Sequence, residues 1–221
     1  MASYASIGWC SNGRDAALTD TQATIRNRAR VNHQSEAALS AEHLLRSYFQ
    51  AKDGNRPHLL ASVFSVDARL EIRNRSNQIS FPAVTVGLEG IADILVRRFN
   101  QAYENIYSFY LDRPAPAAES FSCNWLVGMT EKESRLVRVG CGRYDWTFQR
   151  MPELLATQLI ITIETMLVLD QSRTTSVMAW LVALEYPWTS AADLVGTLPA
   201  SELTPVSEYL GLKGDLMTNM S

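Results

Sequence analysis

The sequence predicts an α+β domain, on three observations. Apolar residues recur at helical spacing in three segments of the first half. Long strand-like stretches then follow one another, separated by little more than turns. One of these, residues 139–148 (VGCGRYDWTF), reads as a strand that hairpins onto residues 159–169 (LIITIETMLVL). Gly140 and Gly142 mark a bend or bulge in it. Beyond them Tyr144, Trp146 and Phe148 share one face, and Arg143, Asp145 and Thr147 share the other. A curved strand with an aromatic concave face builds one wall of an apolar pocket.

The elements follow in order. Residues 1–36 are polar and weakly patterned and read as an N-terminal arm, with a helix around 19–31 as its one candidate element. Residues 40–52 form the first clear helix: Ser40 is its N-cap, and Ala41, Leu44, Leu45, Tyr48 and Phe49 make its apolar stripe. Asp53-Gly54-Asn55 ends it with turn chemistry. A second helix is expected over 56–65, with Pro57 in its first turn. Strands follow at 67–73 and 79–86, the latter at an edge because it carries Pro82. A third helix spans 89–103, and strands span 105–112, 121–130, 136–149 and 159–169. Residues 173–221 form a helical extension: 174–184 is an apolar helix, 190–194 and 205–210 are short helices, and 213–221 are loose. Met178, Trp180, Leu181 and Leu184 carry too much apolar surface to leave in water, so the extension packs on the core domain of residues 37–172.

Composition bounds the function. With 221 residues, 47% hydrophobic and 19% charged, the chain has the material for a real core. Its net charge of −3 argues against phosphate neutralisation and so against nucleic-acid partners. Lysine occurs only at positions 52, 132 and 213. Cys10, Cys123 and Cys141 read as reduced thiols rather than a disulfide frame. No stretch is long and apolar enough to span a membrane, and no apolar run of signal-peptide type opens the chain, so the cytoplasm is the expected location. No P-loop, GxGxxG, HExxH, zinc spacing or GxSxG element occurs, so neither a cofactor nor a metal is expected.

Residues 39–169 resemble the NTF2-like superfamily, and in particular its SnoaL-like branch. The resemblance is carried by LLRSYFQAKDGNRPHLLASVFSVDARLEI in the first two helices and first strand, GLEGIADILVRRF in the third helix, and VGCGRYDWTF in the penultimate strand. It implies a cone, in which a curved antiparallel sheet wraps around three helices and leaves a pocket at the open end. It also implies a homodimer formed through the sheet. The superfamily spans isomerases, dehydratases, cyclases and pure binding modules, so the fold does not give the function.

The resemblance implies site residues one by one. Asp53 stands where dehydratase-type members carry an aspartate that orients a catalytic histidine; the plain alternative is that it starts the DGN turn. The histidine itself falls near Tyr107 or Ser108 and is missing; His33, His43 and His58 lie elsewhere. Tyr107 is the candidate hydrogen-bond donor in its place, since an unperturbed phenol is a poor base. Tyr48 matches the tyrosine of an isomerase-type oxyanion hole, the arrangement for which ketosteroid isomerase is the standard worked case. The aspartate of that hole falls near Tyr144 or Asp145, and the isomerase base near Ile72 is missing. Parity favours Tyr144 inside and Asp145 outside, paired with an arginine. Glu164 is either a buried acid or, as such residues more often are, one paired across the sheet with Arg143 or Arg138. Trp125, Tyr144, Trp146 and Phe148 are the expected pocket wall.

Two functions are carried forward. In the first, the cone binds a small, largely apolar organic molecule, with or without a cofactor-independent lyase or isomerase step. In the second, the protein is a non-catalytic dimeric interaction protein whose cone is filled by its own side chains. Asp53 and the aromatic wall favour the first; the incomplete dyad favours the second. A cavity of several hundred Å3 reached from solvent distinguishes them.

Overall fold

Helix α1 (Ala41–Asp53) begins where its cap requires: the Ser40 hydroxyl accepts the His43 amide at 3.2 Å. Its buried residues are Ala41, Leu44, Leu45, Ser47, Tyr48, Phe49, Ala51 and Lys52, so the apolar stripe runs on to the last turn and ends in a buried lysine. The computed structural model describes residues 40–150 and 152–218, so the N-terminal arm, Cys10 and His33 lie outside the described residues.

After the turn at Gly54 a short 3-10 helix, Pro57–Ser62, replaces the longer helix expected over 56–65. Strand β1 (Phe64–Asn74) claims the rest, because the Val63 carbonyl already accepts the Ala156 amide at 2.7 Å and Phe64 pairs with Ala156. Strand β2 (Val84–Val86) is shorter than the expected 79–86; Pro82 has no amide to donate, and pairing starts beyond it. Helix α2 follows in three consecutive pieces, α-helical Leu88–Ala92, π-helical Asp93–Arg98 and α-helical Phe99–Ala102. Then come β3 (Tyr103–Tyr110), β4 (Ser120–Glu131), β5 (Val137–Arg150) and β6 (Leu154–Leu169).

The six strands form one sheet in the order β2-β1-β6-β5-β4-β3, antiparallel except for the parallel pair β1–β6. The expected hairpin of residues 139–148 onto 159–169 is present, with Tyr144 opposite Ile161 and Trp146 opposite Leu159. The register slips between Cys141 and Gly142, where Cys141 faces Thr165 and Gly142 faces Ile163. Glu164 is therefore the extra residue of a bulge in β6. Its carboxylate takes both oxygens to Arg75 Nη1, at 3.0 and 2.9 Å, so its partner is an arginine, but one that follows β1 rather than Arg143 or Arg138. Arg143 Nε instead donates to Asp145 at 2.9 Å, which puts Asp145 on the outer side.

The sheet has two apolar faces. The concave face and helices α1 and α2 share a core that includes Tyr48, Phe49, Phe64, Tyr110, Trp125, Tyr144 and Trp146. The convex face contributes Phe109, Leu126, Val137, Val139 and Cys141 to a second core. Helices α3 (Thr174–Ala183), α4 (Ala191–Val195) and α5 (Thr204–Thr218) complete it with Val177, Trp180, Leu181, Leu194, Val206 and Leu210. Gly128 is the docking point: a Cβ there would lie 2.2 Å from Leu181 Cδ1. Helix α5 runs on to Thr218, well beyond the 205–210 expected, through residues read as loose. The convex face of β3, β4 and β5 is thus covered within the chain, while outward positions of β1, β2 and β6 stay partly exposed. No helix among the described residues is long and apolar enough to cross a membrane.

Candidate functional site

Lys52 and Asp53 leave the end of α1 side by side and close onto β3. The Lys52 ammonium donates to Asp53 Oδ1 at 2.6 Å and to the Ser108 hydroxyl at 2.7 Å. The Ser108 hydroxyl donates to Asp53 Oδ1 at 2.9 Å, and the Ser108 amide donates to Asp53 Oδ2 at 3.0 Å. The Lys52 and Asp53 side chains are only 7% and 8% exposed, so this is a buried ion pair with a serine closing the triangle. The helix end that carries it is itself pinned: Asn100 of α2 donates to the Lys52 carbonyl at 2.7 Å, satisfying a carbonyl left over at the helix terminus.

Above the ion pair lies a narrow apolar slot of about 50 Å3. It is walled by Leu95 and Phe99 of α2, Ile72 of β1, Trp125, Val127 and Met129 of β4, Tyr144 of β5, and Ile161, Ile163 and Met166 of β6. Lys52 is the one charged residue among these described lining residues, and its Nζ sits 4.9 Å from the centre of the Phe99 ring. Gly140 and Gly142 leave room for two of the lining side chains: a Cβ at Gly140 would meet Met166 Cε at 2.5 Å, and one at Gly142 would meet the Thr162 carbonyl oxygen at 1.9 Å and Trp125 at 2.9 Å. Close approach, rather than a positive φ, requires glycine at both.

Two more polar groups belong to the slot wall. The Tyr48 hydroxyl and the Trp125 indole nitrogen are buried and have no hydrogen-bond partner of ordinary geometry among the described residues, though the Tyr144 phenol lies beside Tyr48. Burial pushes the phenols of Tyr48 and Tyr144 far above their ordinary range, so both stay protonated. An indole N–H can only donate, and an ammonium can only donate. The slot therefore offers two groups that only donate, Lys52 and Trp125, beside the Tyr48 and Tyr144 hydroxyls, which can donate or accept, so an entering acceptor atom suits it.

The expected site residues separate into three groups. Asp53, Tyr48, Trp125 and Tyr144 come together around the slot or directly behind it. Trp146 and Phe148 share the Tyr144 face but lie outside the slot: Trp146 is packed against Tyr48, Phe64 and Phe148 and fills the closed end of the cone. Tyr107 is on the opposite face, packed with the convex core, and Asp53 is held by Ser108 instead. The physical reason is strand parity. Ser108 and Tyr110 point into the cone, so Tyr107 and Phe109 point out. His43 and His58 are exposed. Lys52 and the role of Ser108 were missed from the sequence. The signal for Lys52 was its position four residues after Tyr48 and eight after Leu44, on the stripe itself.

The chain thus folds as an α+β cone with a buried ion pair at the base of an apolar slot. No family model and no curated protein matches it. Solved structures with a similar fold include proteins described as NTF2-like. One is an NTF2-like superfamily protein from Salmonella enterica, 11% identical, with a TM-score of 0.47 over 56% of this chain and 88% of that one. Another is the hexachlorocyclohexane dehydrochlorinase LinA-type3 from Novosphingobium barchaimii, 13% identical, with a TM-score of 0.47 over 65% and 94%. A third is described as an isomerase by assignment only, from Rhodopseudomonas palustris, 15% identical, with a TM-score of 0.45 over 57% and 92%. At this distance the roles of Lys52, Asp53 and Ser108 rest on this chain's own geometry.

Proposed function

We propose that the protein binds a small, largely apolar organic molecule in the slot, oriented by an acceptor atom directed at Lys52, Tyr48 and Trp125. The observation that carries this reading is the buried Lys52 in an otherwise apolar wall, held by Asp53 and Ser108. Paired with a carboxylate, the ammonium acts as a donor and a positive charge rather than as a base. It would stabilise negative charge developing on a carbonyl oxygen or a leaving group, in a dry setting where such a charge counts most. That chemistry suits a cofactor-independent lyase or isomerase step that needs polarisation. Asp53 positions Lys52, and Tyr48 is the second donor.

The size of the slot favours the second reading to the same degree that its polarity favours the first. At about 50 Å3 it falls well short of the several hundred Å3 of an ordinary ligand site, and the cone is largely filled by its own aromatic residues. A ligand of a few heavy atoms fits; a larger one needs Met129, Met166 or Phe81 to move. The test is a titration of the five tryptophan indole signals with acetone, dichloromethane and cyclopentanone. A saturable shift of the Trp125 indole, abolished by Lys52→Met, supports the ligand site. No saturable shift with any of the three supports the non-catalytic protein with a filled cone.

A further inference from the structure

One group reaches the ion pair from outside the sheet and its two inner helices. The Tyr186 hydroxyl lies 3.4 Å from Asp53 Oδ2, the oxygen that also accepts the Ser108 amide. Tyr186 is in the segment between α3 and α4, and that segment clasps the end of β3. The Tyr110 amide donates to the Pro187 carbonyl at 2.8 Å, and the Thr189 amide donates to the Tyr110 carbonyl at 3.0 Å. Trp188 is buried against Tyr110, with the guanidinium carbons of Arg46 and Arg113 at 4.6 and 4.9 Å from its ring centre. The Tyr186 ring meets Phe109 edge-on at 5.8 Å. Three successive residues of β3 are gripped in this way: Ser108 through Asp53, Phe109 through a ring contact and Tyr110 through its backbone.

We propose that Tyr186 is a positioning residue for Asp53, delivered by the C-terminal segment, so that the Lys52–Asp53–Ser108 cluster is complete only when that segment is docked. Asp53 Oδ1 accepts from Lys52 and Ser108, but among the described residues Oδ2 has the Ser108 amide alone apart from Tyr186. The two oxygens are thus held unequally, and a second donor on Oδ2 narrows the motion of the carboxylate that carries the partner of Lys52. The phenol is well suited to be that donor. It is protonated at neutral pH, and partial burial first and then the Asp53 charge raise its pKa further, so it remains a donor although the residue is 43% exposed. The segment that carries it lies beyond β6, so the slot and its ion pair depend on residues outside the sheet and its two inner helices.

The proposal rests on the ion pair being the functional cluster, but its test needs no ligand. Tyr186→Phe keeps the ring on Phe109 and removes only the donor. Amide hydrogen exchange is then followed at Ser108, with Tyr110 and the β4 amides as internal references. The expected result is about tenfold faster exchange at Ser108, in line with losing one hydrogen bond to a charged group, with the references unchanged. In an Asp53→Asn background the same substitution should add nothing further, because the effect runs through the carboxylate. Unchanged exchange at Ser108, a uniform rise across all strand amides, or an undiminished effect in Asp53→Asn would each overturn it. A response at Ser108 in a protein whose Trp125 indole ignores every probe would keep Tyr186 in its role while removing the ligand site.

Discussion

At the scale of single residues, Lys52 is the costly choice. Its side chain is 7% exposed, and a charge taken that far from water survives only with a partner. Lys52→Met keeps the stem and removes the charge, leaving Asp53 buried with its Ser108 bonds but no counter-ion. The expected loss is about 3 kcal/mol in urea unfolding, at the low end for breaking a buried pair because the Ser108 amide and hydroxyl still hold the carboxylate. Lys52→Met with Asp53→Asn should recover more than half of it. A loss below about 1 kcal/mol would mean that the pair is hydrated in solution. The residues themselves were unevenly legible. Asp53 and Tyr48 were singled out by the family resemblance, helix period adding only that Tyr48 lies on the buried stripe, and Trp125 and Tyr144 by strand parity. Lys52 was hidden because a lysine at a helix end reads by default as a solvated terminus. Ser108 was hidden because the dyad resemblance asks for a histidine, and only side-chain parity on β3 decides between it and Tyr107.

At the scale of elements, the close contacts of glycine decide where helices and strands meet. Leu181 of α3 occupies the space above Gly128, and its side chain is almost wholly buried. Gly128→Ala should therefore push α3 away from β4 and destabilise the protein by about 1–3 kcal/mol. Leu181→Ala alone should cost about 2–5 kcal/mol by leaving a cavity. The double variant should cost less than the sum, because the new methyl partly fills the space that Leu181 leaves. Strictly additive losses in thermal or urea unfolding would show that the two side chains do not share that space. The bend at Gly140 and Gly142 was readable from sequence, since two glycines in a strand-like run mark a bulge or a close approach. The extra residue on the opposite strand, Glu164, was not, because a bulge is a property of the pair and no single strand encodes it. The length of β2 and the 3-10 helix before β1 were set by pairing with distant strands, which local propensity does not see.

At the scale of the whole molecule, the convex face ties stability to pH and to the C-terminal helices. Cys141 is buried under those helices, and burial, with the Glu164 charge adding to it, pushes its thiol from 9.0 up to about 12. The folded state then holds this proton more tightly than the unfolded chain. Stability from this source is fully present below about pH 9, and it is lost as pH rises from there toward about 12. Urea midpoints should fall between these limits, and Cys141→Ala should flatten that fall; an equal slope in the variant would remove the thiol as its cause.

Ending the chain at Asp170 is the sharper test of what the extension does. It removes α3, α4 and α5 and uncovers Phe109, Leu126, Val137, Val139 and Cys141, all fully buried in the intact protein. Each such side chain is worth roughly 1.5–3 kcal/mol of burial, so the face cannot stay exposed without consequence. A contiguous apolar sheet face of this kind seeks a second copy. The truncated chain should therefore melt lower and sediment as a dimer or larger species at micromolar concentration, while the full chain does not associate through this face. It should also lose the protection of the Ser108 amide, because Tyr186 and the Trp188 clasp depart with the helices. An unchanged melting temperature and sedimentation coefficient would show that the extension neither covers the sheet in solution nor supports the ion pair.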